Sequence, residues 1–215
     1  MELFINKISH YLPDSVVPNS YFKEVNGLDD EWIYSRTGIK NRSKAAANEN
    51  TNTMGIKAVD LATTDLPYPM EEIDLIIAAT YSPYDTPAHM VQRRYHIEHA
   101  KCVSVSSACS SFINAMEIAQ GYFALGKATK ALIIGAEHNT AYANENDPQS
   151  GHLWGDGALS LPRIIAVMIP ELSISIPKVW DTSAKQPKQC ISAHRTVASE
   201  CRKDAMYLSM LAIIW

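Results

Sequence analysis

The chain has 215 residues, a formal net charge of −4 and an apolar fraction of 47%, so it can bury one sizeable core and carries no global positive field of the kind that attracts nucleic acid. Its start, Met1-Glu2-Leu3-Phe4-Ile5-Asn6-Lys7, lacks the basic flank and apolar run of a secretory signal. The apolar stretches Ile164–Ile169 and Leu208–Trp215 fall far short of the ~18 residues that span a bilayer. The four cysteines, Cys102, Cys109, Cys190 and Cys201, form no CxxC pair, which argues against a zinc site or disulfide framework and for a cytoplasmic protein with free thiols.

Along the chain, Leu3–Ser9 reads as a strand that ends at Leu12-Pro13. Thr53–Leu66 carries Met54, Ile56, Ala58, Val59 and Ala62 at partly helical spacing, with Pro67 as a stop. Ile73–Ala79 is a short apolar run of the kind a buried strand shows, and a helix is expected from His89 to His96. Cys102–Ser106 reads as a second short strand. Ser110–Leu125 is apolar nearly all round, as a helix in the middle of a layered domain is, and Gly126 is placed to end it. Lys130–Gly135 is a third buried strand. This alternation predicts an α/β domain with a mostly parallel sheet over residues 1–158.

The composition changes at residue 159. All nine glycines lie at or before Gly157, and the charge turns from −7 (twelve basic minus nineteen acidic residues) to +3 (seven minus four). Residues 159–215 therefore read as an atypical tail with little regular fold, of the kind a shifted reading frame or a truncated, non-homologous ending gives.

Ser106-Ser107-Ala108-Cys109-Ser110-Ser111-Phe112 falls between a predicted strand and the long helix. A helix N-terminus presents unpaired N–H groups and a dipole that favour negative charge, so a cysteine there is biased towards thiolate. The small neighbours leave room for a thioester, and the same N–H groups can stabilise a tetrahedral oxyanion. Cys109 is thus a candidate acyl-accepting nucleophile. Buried cysteines also pack as small hydrophobes, and local context alone leaves that alternative open; Cys102, inside an apolar strand, is read that way.

Four stretches, in order, resemble the beta-ketoacyl-acyl-carrier-protein (ACP) synthase III family of thiolase-like condensing enzymes. Trp32-Ile33-Tyr34-Ser35-Arg36-Thr37-Gly38-Ile39-Lys40-Asn41-Arg42 is similar to the family's Trp-Ile-x-x-Arg-Thr-Gly-Ile-x-x-Arg stretch and is the most specific. Ile76–Pro87 resembles its strand and Tyr/Ser/Pro loop, Ser107–Phe112 its nucleophile turn, and Trp154-Gly155-Asp156-Gly157-Ala158 its Phe-Gly-Asp-Gly-Ala. The resemblance implies the first of the two duplicated halves of a thiolase-like layered fold, with Cys109 as nucleophile.

It also implies that Trp32 and Arg36 bracket the adenine end of coenzyme A, which suits an indole face and a planar guanidinium. The 81–87 loop would cross a homodimer interface and shape the partner's acyl pocket. Thr86 there is smaller than the Phe of some relatives, which predicts a pocket wider than acetyl needs. Gly38 would supply a backbone conformation other residues resist, and Asp156, flanked by Gly155 and Gly157 in the turn before a fifth strand, would be structural. Where some relatives have an Arg before a Gly, this chain has Ser150-Gly151-His152, which loosens the link to coenzyme A relative to acyl-thioesters in general. His152 itself matches no catalytic position of the family.

The substrates implied are acyl-CoA and malonyl-ACP, with no cofactor or metal. The His and Asn that the family uses for decarboxylative condensation come from the second half. His194 does not match their pattern, and no Asn follows Asn146. The expectation is an acyltransferase by ancestry, inactive in condensation. The alternatives are a catalytically dead partner of a complete subunit and a non-functional truncated product. Without a second half, the Ser110–Leu125 helix would expose apolar surface and drive association.

Overall fold

The computed structural model describes residues 5–163. Seven strands and five α-helices follow in the order β1 (Ser9–Tyr11), β2 (Ser15–Pro18), α1 (Ser20–Val25), α2 (Asp30–Thr37), β3 (Asn41–Lys44), α3 (Thr51–Thr63), β4 (Leu75–Ala79), α4 (Pro87–Arg94), β5 (Lys101–Val105), α5 (Ser111–Ala124), β6 (Ala131–His138) and β7 (Asp156–Arg163). Five of the strands form one mixed sheet in the order β1-β7-β6-β4-β5. Strands β5, β4 and β6 run parallel, and β7 and β1 are antiparallel to their neighbours. A β2–β3 ribbon stands apart from this sheet.

The apolar runs of β4 and β6 have a direct cause, because both strands are covered on both faces. Ile76 and Ala78 of β4 and Leu132, Ile134 and Ala136 of β6 pack with Met54, Ala58 and Val59 of α3 and Ala88 and Val91 of α4. The alternate residues Leu75, Ile77, Ala79, Ala131 and Ile133 pack with Ala115, Ala119 and Phe123 of α5. Side chains of a strand alternate between faces, so a strand sandwiched between helix layers needs apolar residues at every position.

The sequence-based elements fall where expected, with shifted ends. The helix expected from His89 starts at Pro87, whose missing N–H and fixed φ suit a first helical position. Of the strand expected over Leu3–Ser9, residues 3 and 4 lie outside the described residues; among the described ones the first strand is Ser9–Tyr11, held by pairing Ser9–Tyr11 with Ser160–Ala158 and by the Ser9 hydroxyl, 2.6 Å from the Ala58 carbonyl it donates to. The domain limit expected at residue 158 falls inside β7, which runs on to Arg163; Leu159, Ser160 and Leu161 pair with Gly135, Ile134 and Ile133. Loss of glycine and a change of charge do not register that Leu159 and Leu161 pack on the α5 side of the sheet while Ser160, fully buried, bonds to Ser9 and the Ala58 carbonyl on the other. Residues 164–215, His194 included, lie outside the described residues. No helix among the described residues is long and apolar enough to cross a membrane.

The Trp32–Arg42 stretch becomes a capped helix, a stop and a strand. The Asp29 carboxylate accepts from the Trp32 N–H at 2.9 Å, an N-cap for α2. Gly38 ends the helix at φ +71°, its N–H donating to the Tyr34 carbonyl at 2.9 Å. Arg42 of β3 is buried, its Nε donating to the His152 carbonyl at 2.6 Å and its guanidinium 4.5 Å from the Phe22 ring centroid. Burial lowers the Arg42 pKa to about 10.

Glu49 ties β1 to α3. Burial pushes its carboxyl up, but hydrogen bonds from the Ala46 N–H, Lys57 and the Tyr11 hydroxyl outweigh burial and bring it from 4.5 to about 2. A carboxyl depressed on folding adds stability above its unfolded pKa and loses it as pH falls through the folded one. Acid titration of urea stability is expected to show a component lost between about pH 4.5 and 2, and Glu49→Gln should remove that component. An unchanged acid profile in the variant would show that the bonds to Glu49 add nothing net.

Candidate active site

The turn between β5 and α5 is closed by its own serines. The Ser107 N–H donates to Ser111 Oγ at 2.7 Å, and that hydroxyl donates in turn to the Ala108 carbonyl at 2.7 Å. Ser110 Oγ donates to the Ser107 carbonyl, also at 2.7 Å. Ala108 has φ +50°, a left-handed conformation that costs a residue with a Cβ about 1–2 kcal/mol. Such strain persists only where the surrounding structure enforces it, and it concentrates at functional sites.

Cys109, next in the chain, is exposed and lines a cavity of about 50 Å³, room for a few water-sized groups. Its walls come from the turn and α5 (Ala108, Ser111, Phe112), from the end of β4 (Ala79), and from facing segments of β6 and β7. The site therefore sits at the carboxyl ends of the three parallel strands, where open α/β sheets bind ligands. Glu137 of β6 is the other ionisable side chain in the wall. Burial pushes its carboxyl up, opposed by hydrogen bonds from Tyr81 and Ser82. Asp156 is buried in β7 and accepts from the Ala45 N–H at 2.8 Å, the Thr140 N–H at 3.0 Å and the Thr140 hydroxyl at 2.5 Å. Its oxygens are taken up in joining β7 to two loops, a structural use.

Trp32 and Arg36 come together on α2. The Arg36 guanidinium lies 4.3 Å from the Trp32 ring centroid, and the His152 ring meets the same indole edge-on at 5.5 Å. His152 is buried, and burial followed by the nearby Arg42 charge holds its pKa below the usual histidine value, against an opposing pull from Asp147. Thr86 is exposed just before α4, its N–H donating to Asn52 Oδ1 at 2.9 Å. None of Trp32, Arg36 and Thr86 is among the residues lining the Cys109 cavity.

Three features of the site were not visible as such in the sequence. The left-handed Ala108 carries no residue-type signal. Glu137 had one, a lone carboxylate right after the apolar run of β6. His152 stood out only as a departure from the family pattern, and its packing on Trp32 was hidden. Among the described residues, no cluster of three or more His, Cys, Asp or Glu side chains is placed to hold a metal.

Gly135 of β6 shows how closely the cavity is built. A Cβ there would lie 3.1 Å from Cδ2 of Phe112, a wall residue. Gly135→Ala should press the ring aside and cost about 1–2 kcal/mol of overpacking, partly offset by the better strand propensity of Ala over Gly. The expected result is a lower urea midpoint; a raised midpoint would mean that the Phe112 ring has room to move.

A family model described as 3-oxoacyl-[acyl-carrier-protein (ACP)] synthase III matches residues 103–161, which include the Cys109 turn. The chain is 34% identical over 160 residues to the beta-ketoacyl-[acyl-carrier-protein] synthase III of Ruegeria pomeroyi, covering 73% of this chain and 50% of that protein. It is 39% identical over 151 residues to the protein of that name from Clostridium acetobutylicum, covering 69% and 46%. The crystal structure of 3-oxoacyl-[acyl-carrier-protein] synthase III from Aquifex aeolicus superposes with a TM-score of 0.72 at 33% identity, over 77% of this chain and 54% of that one. The chain spans about half the length of the curated relatives it matches. With the thiolase-like α/β architecture and the motif order already in place, the matched 70% or so of this chain belongs to the beta-ketoacyl-ACP synthase III family.

Proposed function

We propose that this chain is an acyltransferase of the synthase III type in which Cys109 accepts an acyl group from an acyl-thioester. The observation that carries the reading is the position of Cys109: exposed, one residue after a strained Ala108, at the start of a 14-residue helix and in the wall of the cavity at the strand ends. The Cys109 thiolate attacks the thioester carbonyl carbon and the oxygen becomes an oxyanion. N–H groups at the start of α5 are the donors at hand for it. The bond to the donor sulfur then breaks, and the released thiol takes up the proton that Cys109 gave up. The products are S-acyl-Cys109 and a free thiol, and no cofactor enters the balance.

Acyl-CoA is the donor on this reading, with the adenine end held at Trp32 and Arg36, and Thr86 sits on a loop that would shape the acyl pocket of the other subunit of a homodimer. In a complete homodimeric enzyme the acyl group would next be condensed with malonyl-ACP in the cytoplasm, through the His and Asn of the second half.

Incubation with acetyl-CoA followed by intact mass and peptide mapping should place one acetyl group on Cys109, and none in Cys109→Ser. Trp32→Ala should raise KM for acetyl-CoA about tenfold, the worth of a lost base–aromatic stack, while leaving loading from acetyl-pantetheine unchanged. Wild-type protein that remains unacetylated would defeat the acyltransferase reading; equal losses with both donors would defeat the role given to Trp32.

A second reading, a non-catalytic partner of a complete subunit, is favoured by one observation. Helix α5 buries Ala115, Ala119 and Phe123 against the sheet but leaves Ile113 44% and Met116 36% exposed. Sedimentation should then show association that Ile113→Glu weakens, whereas a monomer at all concentrations would rule out α5 as a docking face.

A further inference from the structure

The loop after β4 is held to β6 by one side chain. Glu137 Oε1 accepts from the Tyr81 N–H at 2.7 Å, and Oε2 accepts from the Ser82 hydroxyl at 3.3 Å. Ser82 is bound back twice: its Oγ accepts from the His138 N–H at 3.0 Å, and its N–H donates to Thr80 Oγ1 at 3.0 Å. The far end of the loop has a separate anchor. Asn52 of α3 accepts from the Thr86 N–H at 2.9 Å and donates to Asp85 Oδ1 at 2.8 Å. Between the anchors Tyr84 is 99% exposed at φ +66°.

Glu137 lines the Cys109 cavity together with Ala79, two residues before the loop it holds. A carboxyl in that position costs desolvation, and an apolar side chain would fill the same space without that cost. What the carboxyl adds is a pair of acceptor oxygens for donors that would otherwise lose their partners as the loop folds over the end of β6.

We infer that Glu137 is a positioning residue: its two oxygens fix the Tyr81–Ser82 segment against β6 and thereby set the shape of the cavity wall that a group bound at Cys109 meets. The inference rests on Cys109 being the reacting residue. The acceptor oxygens carry the effect, so a Gln can take over the role and a Met of similar size cannot. Gln keeps an oxygen for the Tyr81 N–H and can turn its NH2 towards Ser82 Oγ, a hydroxyl able to accept as well as donate.

The test compares wild type, Glu137→Gln and Glu137→Met as full chains, with two readouts. Amide hydrogen exchange at Tyr81 and Ser82 reports the anchor, and the rate of alkylation of Cys109 by N-ethylmaleimide, mapped by peptide mass, reports the wall. Glu137→Met should exchange about tenfold faster at both amides, the effect of losing the acceptor oxygens that hold the segment. It should also alter Cys109 alkylation by threefold or more (~0.65 kcal/mol, from tenfold per 1.4 kcal/mol). Glu137→Gln should stay near wild type on both. A Met variant that matches wild type would overturn the inference in favour of space-filling, and a Gln variant as defective as Met would overturn it in favour of the charge. Alkylation needs only an exposed thiol, so failure of Cys109 to accept an acyl group would show in the acetyl-CoA experiment and leave these readouts intact.

Discussion

Double burial of β4 and β6 is the constraint from which the rest follows. Each strand sends alternate residues into two different cores, one under α3 and α4 and one under α5. Moving either strand by one residue would exchange those sets and put every side chain on the wrong face. The parallel register, Leu75 opposite Ala131 through Ala79 opposite Gly135, is therefore fixed. With it are fixed the levels at which β4, β5 and β6 end. Those ends are where the chain turns into Cys109, passes into the 80–86 loop and places Glu137. The site is a consequence of register before it is a matter of catalytic residues.

Given that frame, the site is built from departures that a packed core would not tolerate. Ala108 is held left-handed by the Ser110 and Ser111 hydroxyls, which bond the Ser107 N–H and the Ser107 and Ala108 carbonyls. Gly135 has no side chain because Phe112 occupies the space. Glu137 is half-buried where an apolar residue would cost less. Each departure is local, and each is held by neighbours that belong to the regular fold: α5 for Ala108, β6 for Gly135 and the loop after β4 for Glu137. Strain and desolvation of this size survive only where the scaffold is stiff enough to enforce them.

How much the sequence revealed follows the same division. The strands buried on both faces were legible because double burial writes an unbroken apolar run. The long helix was legible because Gly126, at φ +63°, closes it in the left-handed region. The start of β1 and the end of β7 were not, since β1 depends on pairing with Ala158–Ser160, almost 150 residues away, and the last residues of β7 on pairing with Ala131–Ile133 of β6, and no local pattern encodes a distant partner. At the site, Cys109 stood out from its place between strand and helix together with the family resemblance of Ser107–Phe112, and Trp32 with Arg36 from the resemblance of the Trp32–Arg42 stretch alone; their stacking on α2 is a feature of the structure. Glu137 was not legible, because a single carboxylate after a strand has the same residue-level signature whether it faces solvent or holds a loop.

The two cysteines of the described chain show why position outweighs residue type. Cys102 lies in β5, packed against the α3–α4 core, with its thiol 3.6 Å from the Ala88 carbonyl. Burial pushes that thiol up, and since only the thiolate attacks carbon, the same burial lowers its reactivity. Seven residues on, the chain has left the sheet, passed the left-handed Ala108 and come to the residue just before the α5 N-cap Ser110, where Cys109 is exposed. Nothing in the two side chains differs. One is half-buried within the register of the sheet, and the other is released by the end of that register, beside the cavity at the carboxyl ends of the parallel strands.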